Sequence, residues 1–105
     1  MRLSFQLATV LLSGLAANAA FAQDANTLHQ RALAANCSNC HGSEGRAVEG
    51  SAVPGLAGQP RDYIITQMKS FKDGTRQATV MHQLAKGFTD QQIESIASYF
   101  AAIKR

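Results

Sequence analysis

Residues 37–41 constrain this chain more than any other segment, because they hold its two cysteines in a C-x-x-C-H pattern: Cys37, Ser38, Asn39, Cys40 and His41. This pattern is typical of covalent attachment of a c-type haem. Thiols about one helical turn apart can add to the vinyl groups on one edge of a porphyrin, and the next side chain then points towards the iron. The motif therefore predicts thioether bonds at Cys37 and Cys40 and an axial bond from His41.

Three other interpretations of a C-x-x-C pair compete with haem: a thioredoxin-like redox pair, a disulfide, and half of a zinc site. Thioredoxin-like pairs lie near a βαβ pattern, and this sequence has no strand–helix–strand pattern. A structural zinc site usually has four ligands in paired spacing. The remaining histidines, His29 and His82, do not lie at a zinc-finger spacing. Haem attachment is therefore the interpretation that we favour.

The N-terminal residues 1–22 have the pattern of a cleavable signal peptide. A positive start precedes an apolar run over residues 3–15, and Ala20 and Ala22 form a small-x-small cleavage pattern. The run is shorter than the roughly 20 residues of a membrane-spanning helix, so an uncleaved anchor is the weaker alternative and stable membrane insertion is not expected. Since c-type haem is attached outside the cytoplasm, we expect a periplasmic protein with one domain over residues 23–105.

The domain over residues 23–105 is small, and a polypeptide core of this size is marginal alone. A haem offers a large apolar surface, so we expect it to form part of the core and the haem-free form to be poorly ordered. Without Arg2, which belongs to the signal peptide, nine basic and seven acidic side chains remain. This balance is too weak to indicate nucleic-acid binding.

The first predicted helix covers residues 24–36 and leads into the haem motif, with Leu28, Ala32 and Ala35 on one face. Residues 42–58 then contain five glycines, which predicts a loop. A loop of this length in a compact domain is usually functional, and here we expect it to wrap the side of the ring that His41 faces.

Two more helices follow, separated by a connection over residues 75–88. The second begins at Pro60, a favoured first position, and ends at Gly74, a favoured stop. The third opens at Thr89 with a capping-box pattern. Apolar side chains at helical spacing line one face of each: Ile64, Met68 and Phe71 in the second, and Ile93, Ile96, Ala97, Phe100 and Ile103 in the third. The sequence thus predicts an all-α domain with three main helices and long loops.

The second axial position of the iron has three candidate residues. Met68 lies within the apolar stripe of the second helix, where a core role is expected. Met81 lies in the connection before the third helix, and a loop can carry its thioether over the ring, so we predict Met81 as the distal ligand. His82 is the alternative, which would lower the reduction potential. Because neighbouring side chains of an extended chain point in opposite directions, we do not expect Met81 and His82 both to face the iron.

The order of these features resembles that of class I cytochromes c, over essentially the whole of residues 23–105. Three segments, residues 55–60, 71–76 and 80–88, are similar to the haem domains of flavocytochrome c sulfide dehydrogenase and of periplasmic tandem-domain two-haem cytochromes. Those proteins usually carry two haem domains, whereas this chain has one C-x-x-C-H.

The resemblance implies roles for particular residues. The carbonyl of Pro54 would accept the N–H of His41, Leu56 would pack on the porphyrin, and Met81 would be the axial methionine. It also implies that Tyr99 and Phe100 pack against the first helix near Ala32 or Ala35.

These observations leave three functional hypotheses. The first is a periplasmic one-electron carrier with one covalent haem c and its iron, which is not itself an enzyme and docks transiently with a redox donor and acceptor. The second is the haem subunit of a sulfide dehydrogenase, which would accept electrons from a flavoprotein partner. The third is a five-coordinate haem sensor or peroxidase. Four basic residues allow two interpretations: they form a basic rim that docks with an acidic redox partner, or they are scattered charges on a solvated surface. These residues are Lys69, Lys72, Arg76 and Lys86.

Overall fold

Four helices form the fold of residues 24–105, the part of the chain that a computed structural model describes. Helix α1 includes residues 24–41, and a short 3-10 turn, Ser43–Gly45, follows it. Helices α2 (Arg61–Asp73), α3 (Met81–Lys86) and α4 (Asp90–Ala102) complete the chain, and residues 24–105 contain no strand. The all-α prediction is confirmed, whereas the predicted signal peptide, residues 1–22, lies outside the described residues.

Helix α2 lies between Pro60 and Gly74, the two residues that mark its start and its stop in the sequence. Pro60 is the residue that precedes its first turn, and Gly74 stops it in the left-handed conformation, at φ 84°. A glycine adopts this conformation without the steric cost that a Cβ adds. The apolar stripe faces inwards, with Ile64 and Met68 buried, so Met68 is a core residue.

Helix α4 begins with the predicted capping box. The Thr89 side chain accepts a hydrogen bond from the backbone N–H of Gln92, at 3.2 Å, and the Gln92 side chain accepts one from the backbone N–H of Thr89, at 2.9 Å. These bonds satisfy two donors that the first turn of a helix leaves unpaired. The predicted inner face is also correct: four of its residues are buried, namely Ile93, Ile96, Ala97 and Phe100.

Helix α1 differs from its prediction in length and in orientation. It continues to residue 41, so the C-x-x-C-H motif forms its last turn. Leu28 is 69% exposed, and Ala32 and Ala35 are also exposed. The residue of α1 that enters the core is Ala34, which belongs to the same buried cluster as Phe100. The predicted inner face of α1, on Leu28, Ala32 and Ala35, is therefore wrong by a rotation of the helix.

Helix α3 was not among the three predicted helices. It lies in the predicted connection over residues 75–88 and packs against α2. No side chain caps its N-terminus at Val80, and its single buried residue is Ala85. Every helix contributes to one hydrophobic core, whose fully buried large side chains are Phe100, Ile93 and Ile96.

Among residues 24–105, no helix is long and apolar enough to cross a membrane.

Candidate haem site

The last turn of α1 places the two thiols of the motif on one face, because residues three apart on a helix are neighbours. Both cysteines are free, with Cys40 exposed and Cys37 half-buried. Burial raises the pKa of the Cys37 thiol above its ordinary value. Within residues 24–105, no group of three or more acidic, histidine or cysteine side chains could hold a metal ion.

His41 is held in one orientation by the loop that follows it. Its Nδ1 atom lies 2.6 Å from the carbonyl oxygen of Pro54, and the side chain is buried, with 9% of its surface exposed. Because a carbonyl oxygen only accepts hydrogen bonds, Nδ1 carries the proton and donates it. The lone pair therefore lies on Nε2, which is free to bind a metal.

The loop over residues 42–58 folds back on itself directly after His41. The carbonyl oxygen of Gly45 accepts backbone hydrogen bonds from Leu56, at 2.8 Å, and Ala57, at 3.1 Å. Gly45 is buried against α4: a Cβ atom there would lie 2.7 Å from Cδ1 of Phe100. Leu56 is half-buried and packs against the core. These contacts set the path of the chain that leads to Pro54.

The same loop is bonded to the end of α4. The side chain of Arg46 donates to the carbonyl oxygen of Lys104, at 2.9 Å, and forms an ion pair with Glu44, at 2.7 Å. The backbone N–H of Gly58 donates to the carbonyl oxygen of Phe100, at 2.9 Å. Sequence reasoning did not identify these contacts with α4, because Phe100 and Lys104 lie more than 50 residues after Gly45 and Arg46.

Met81 is the first residue of α3, not part of an irregular loop. It is half-buried and packs against the core. Met81 and His82 therefore do not lie in an extended chain, as predicted, but in a helix, where neighbouring side chains point about 100° apart. Met68 is 7% exposed in the core, which leaves Met81 as the sulfur ligand to be tested.

His82 has a buried polar atom without a partner. Its Nδ1 is shielded from solvent and makes no hydrogen bond with the described residues. Such an atom loses its hydration without compensation, so it is unusual in a folded protein and calls for a partner from outside these residues. Two free thiols on one helical face, a histidine with a free Nε2, a half-buried thioether at Met81 and this unpaired imidazole nitrogen form a donor set that fits a bound haem.

The proposed basic rim is largely engaged within the molecule. Lys69 and Lys72 both form ion pairs with Asp90, at 3.4 Å and 3.2 Å. The hydrogen bond from Lys72, helped by the charge of Lys69, holds the pKa of the Asp90 carboxylate below its ordinary value. The guanidinium carbon of Arg76 lies 4.6 Å from the ring centroid of Phe71. These cations have intramolecular partners before any redox protein docks.

Comparison with known proteins gives a consistent set of relatives. The family model described as "Cytochrome c" matches residues 29–104. The chain is 38% identical over 73 residues to the cytochrome subunit of sulfide dehydrogenase from Chlorobaculum tepidum, covering 70% of this chain and 64% of that protein. It is 40% identical over 74 residues to cytochrome c4 from Pseudomonas aeruginosa, covering 70% of this chain and 36% of that protein.

A solved structure of cytochrome c4 from Acidithiobacillus ferrooxidans is similar in fold, with a TM-score of 0.60 and 42% identity. The match covers 64% of this chain and 38% of that one. The chain thus spans little more than a third of the cytochrome c4 proteins, and just under two thirds of the sulfide dehydrogenase subunit.

Proposed function

We propose, from the premise that this chain belongs to the cytochrome c family, that it is a one-electron carrier with a single covalently bound c-type haem. The observation that carries the proposal is the end of α1. There, two free thiols precede a buried histidine whose Nδ1 is bonded to the Pro54 carbonyl, at 2.6 Å. This leaves Nε2 of His41 as a metal ligand of fixed direction.

Five side chains would hold the group. Cys37 and Cys40 would form the thioethers, His41 and Met81 would be the axial ligands, and Leu56 would pack on the porphyrin. When bound, the haem supplies an iron that changes its oxidation state by one electron. A histidine and methionine pair raises the reduction potential of such an iron.

The chain's own residues fix the proximal side. The Pro54 carbonyl accepts a hydrogen bond from the Nδ1–H of His41, which prevents the imidazole from rotating and makes Nε2 a stronger ligand. The buried Gly45, packed against Phe100 of α4, anchors the loop that carries this carbonyl. A fixed ligand geometry suits electron transfer, since little has to move when the charge changes.

Intact mass and optical spectra test the attachment. The protein is expressed with a haem maturation system, and its mass and its oxidised and reduced spectra are recorded. We expect the mass of the chain plus one haem, a loss of one thioether in Cys37→Ser or Cys40→Ser, and no change in the matched control Ser38→Ala. A polypeptide that carries no added mass would refute the proposal.

The distal ligand is tested by carbon monoxide. Met81→Ala should open the iron, so the reduced variant binds carbon monoxide at neutral pH, whereas the unaltered protein does not. Met68→Leu, which replaces the core methionine with a side chain of similar volume, should not allow carbon monoxide to bind. Carbon monoxide binding by the unaltered protein would instead favour the five-coordinate sensor or peroxidase, and an unchanged spectrum in Met81→Ala would point to His82.

The identity to a sulfide dehydrogenase cytochrome subunit supports a second candidate function, in which this chain receives electrons from a flavoprotein. Co-purification from the native cells would distinguish them: a stable complex with a flavoprotein favours the subunit, and an isolated cytochrome favours the free carrier. We further propose export to the periplasm after cleavage at residue 22, which the same intact mass tests.

A further inference from the structure

Helix α3 is fastened to α2 at both of its ends. The segment before it, residues 74–80, is held by Arg76, and the turn after it, residues 87–89, is held by Lys72. Both sets of contacts are made with the second half of α2. The helix that carries Met81 thus lies between two fixed points.

Arg76 makes three contacts with one region of α2. Its backbone N–H donates to the carbonyl oxygen of Ser70, at 3.1 Å. Its guanidinium donates to the side-chain oxygen of Gln67 and lies over the ring of Phe71, 4.6 Å from the centroid. A planar cation can stack on an aromatic ring and donate from its edge at the same time, which a lysine cannot do.

Lys72 makes the second attachment. Its Nζ donates to the carbonyl oxygen of Phe88, at 2.7 Å, and to a carboxylate oxygen of Asp90, at 3.2 Å. The Phe88 carbonyl follows α3 directly. Lys72 therefore connects the last turn of α2 to the point where the chain leaves α3.

Helix α3 depends on these attachments because it has little stability of its own. It is six residues long, without a side-chain cap at its N-terminus and with one buried residue. A helix of this length does not persist alone in water. Its position must therefore come from its contacts with α2 and from the segments that flank it.

We propose that Arg76 and Lys72 are positioning residues that hold Met81 in place as an axial ligand, and so control how often its thioether leaves the iron. This inference rests on the proposed role of Met81. It assigns these cations a function within the molecule, in place of the basic rim considered from the sequence.

Imidazole binding to the oxidised haem protein tests this role, because imidazole competes with Met81 for the iron. Arg76→Ala removes the stacking on Phe71 and the hydrogen bond to Gln67 but keeps the backbone bond to Ser70, and it should raise imidazole affinity about tenfold, which corresponds to about 1.4 kcal/mol. Arg76→Lys keeps the charge but not the stacked plane, so it should raise the affinity by a smaller factor. Lys72→Met, which keeps the apolar stem, should raise it as well.

Arg61→Ala is the matched control. Arg61 is, like Arg76, an exposed arginine, but it lies in the first turn of α2 and contacts Ser98, at 3.0 Å, and Glu94, at 3.4 Å, both on α4. Its loss can lower the free energy of unfolding, yet it should leave imidazole affinity unchanged. If a general loss of stability controlled imidazole affinity, the affinity would rise in both Arg61→Ala and Arg76→Ala. A positioning role raises it in Arg76→Ala and not in Arg61→Ala.

These outcomes distinguish the positioning role of Arg76 and Lys72 from the assignment of Met81 as the ligand. If Met81→Ala binds imidazole more tightly but Arg76→Ala and Lys72→Met behave like Arg61→Ala, the positioning role is wrong and the ligand assignment stands. If Met81→Ala binds imidazole no better than the unaltered protein, the ligand assignment fails and the positioning role fails with it. If Arg76→Ala does not accumulate, Arg76→Lys and Gln67→Ala give the same comparison.

Discussion

Replacing Gly45 with alanine should destabilise the domain strongly, because of its backbone conformation and because of the close contacts that a Cβ atom would make. Gly45 has a φ of +74°, and an L-residue in the left-handed region costs about 1–2 kcal/mol. The added Cβ would also lie 2.7 Å from Cδ1 of Phe100 and 2.9 Å from the backbone nitrogen of Ala57. Excess volume in a packed site costs about 1–3 kcal/mol, so the expected total is about 2–5 kcal/mol.

Gly50 provides a control in the same loop. Its φ is +78°, but a Cβ there would have no atom within 4 Å. Gly50→Ala should therefore cost only the backbone term of about 1–2 kcal/mol. Any gain from restricting the unfolded chain is the same in both variants, so the difference between them isolates the close contacts with Phe100 and Ala57.

Denaturant unfolding of the haem-loaded proteins, followed by circular dichroism, measures this difference. We expect Gly45→Ala to have the lower midpoint by the larger margin. Equal midpoints for Gly45→Ala and Gly50→Ala would mean that the loop moves aside without cost, and would refute the claim that α4 fixes the loop behind His41.

Three further predictions concern α4. Asp90→Asn should make the free energy of unfolding depend less on pH in the acid range. The pKa of Asp90 is lowered, so the stabilisation by its carboxylate is complete above the ordinary pKa of about 4. That stabilisation is lost as the pH falls through the lowered pKa. Equal slopes of unfolding free energy against pH below about pH 5 in the variant and the unaltered protein would contradict this. Thr89→Ala should cost about 1 kcal/mol by removing the cap, measured by denaturant midpoint, and Gln92→Ala should reproduce part of the loss. Ile96→Ala should cost about 2–5 kcal/mol, since Ile96 is buried in the core; thermal unfolding measures this, and a loss below about 1 kcal/mol would show that the core relaxes into the space.

The features that the sequence predicted correctly are those with local signals. The capping box at Thr89, the stop at Gly74 and the apolar stripe of α4 each depend on residues within about three turns of one another. The spacing of the C-x-x-C-H motif is also local. A pattern that lies within one element can be recognised without knowing what that element packs against.

Features that depend on distant partners were not predicted. The six residues of α3 carry no capping signal, and the helix is held by α2. The orientation of α1 was wrong because alanines on several faces give a weak pattern, and packing selects Ala34. The contact of Arg46 with the Lys104 carbonyl joins residues 58 positions apart, which no local pattern indicates. The choice between Met81 and His82 stays a prediction for the spectra.

The hydrogen bonds from Arg46 and Gly58 to carbonyls at the end of α4 have a consequence for biogenesis. Those acceptors are synthesised some forty residues after the loop that uses them. While α4 is still being made, the segment that orients His41 has no surface to close against. A chain that has not yet closed this loop against the end of α4 thus holds its thiols and His41 in sequence order, but the loop that orients His41 is not yet fixed in place.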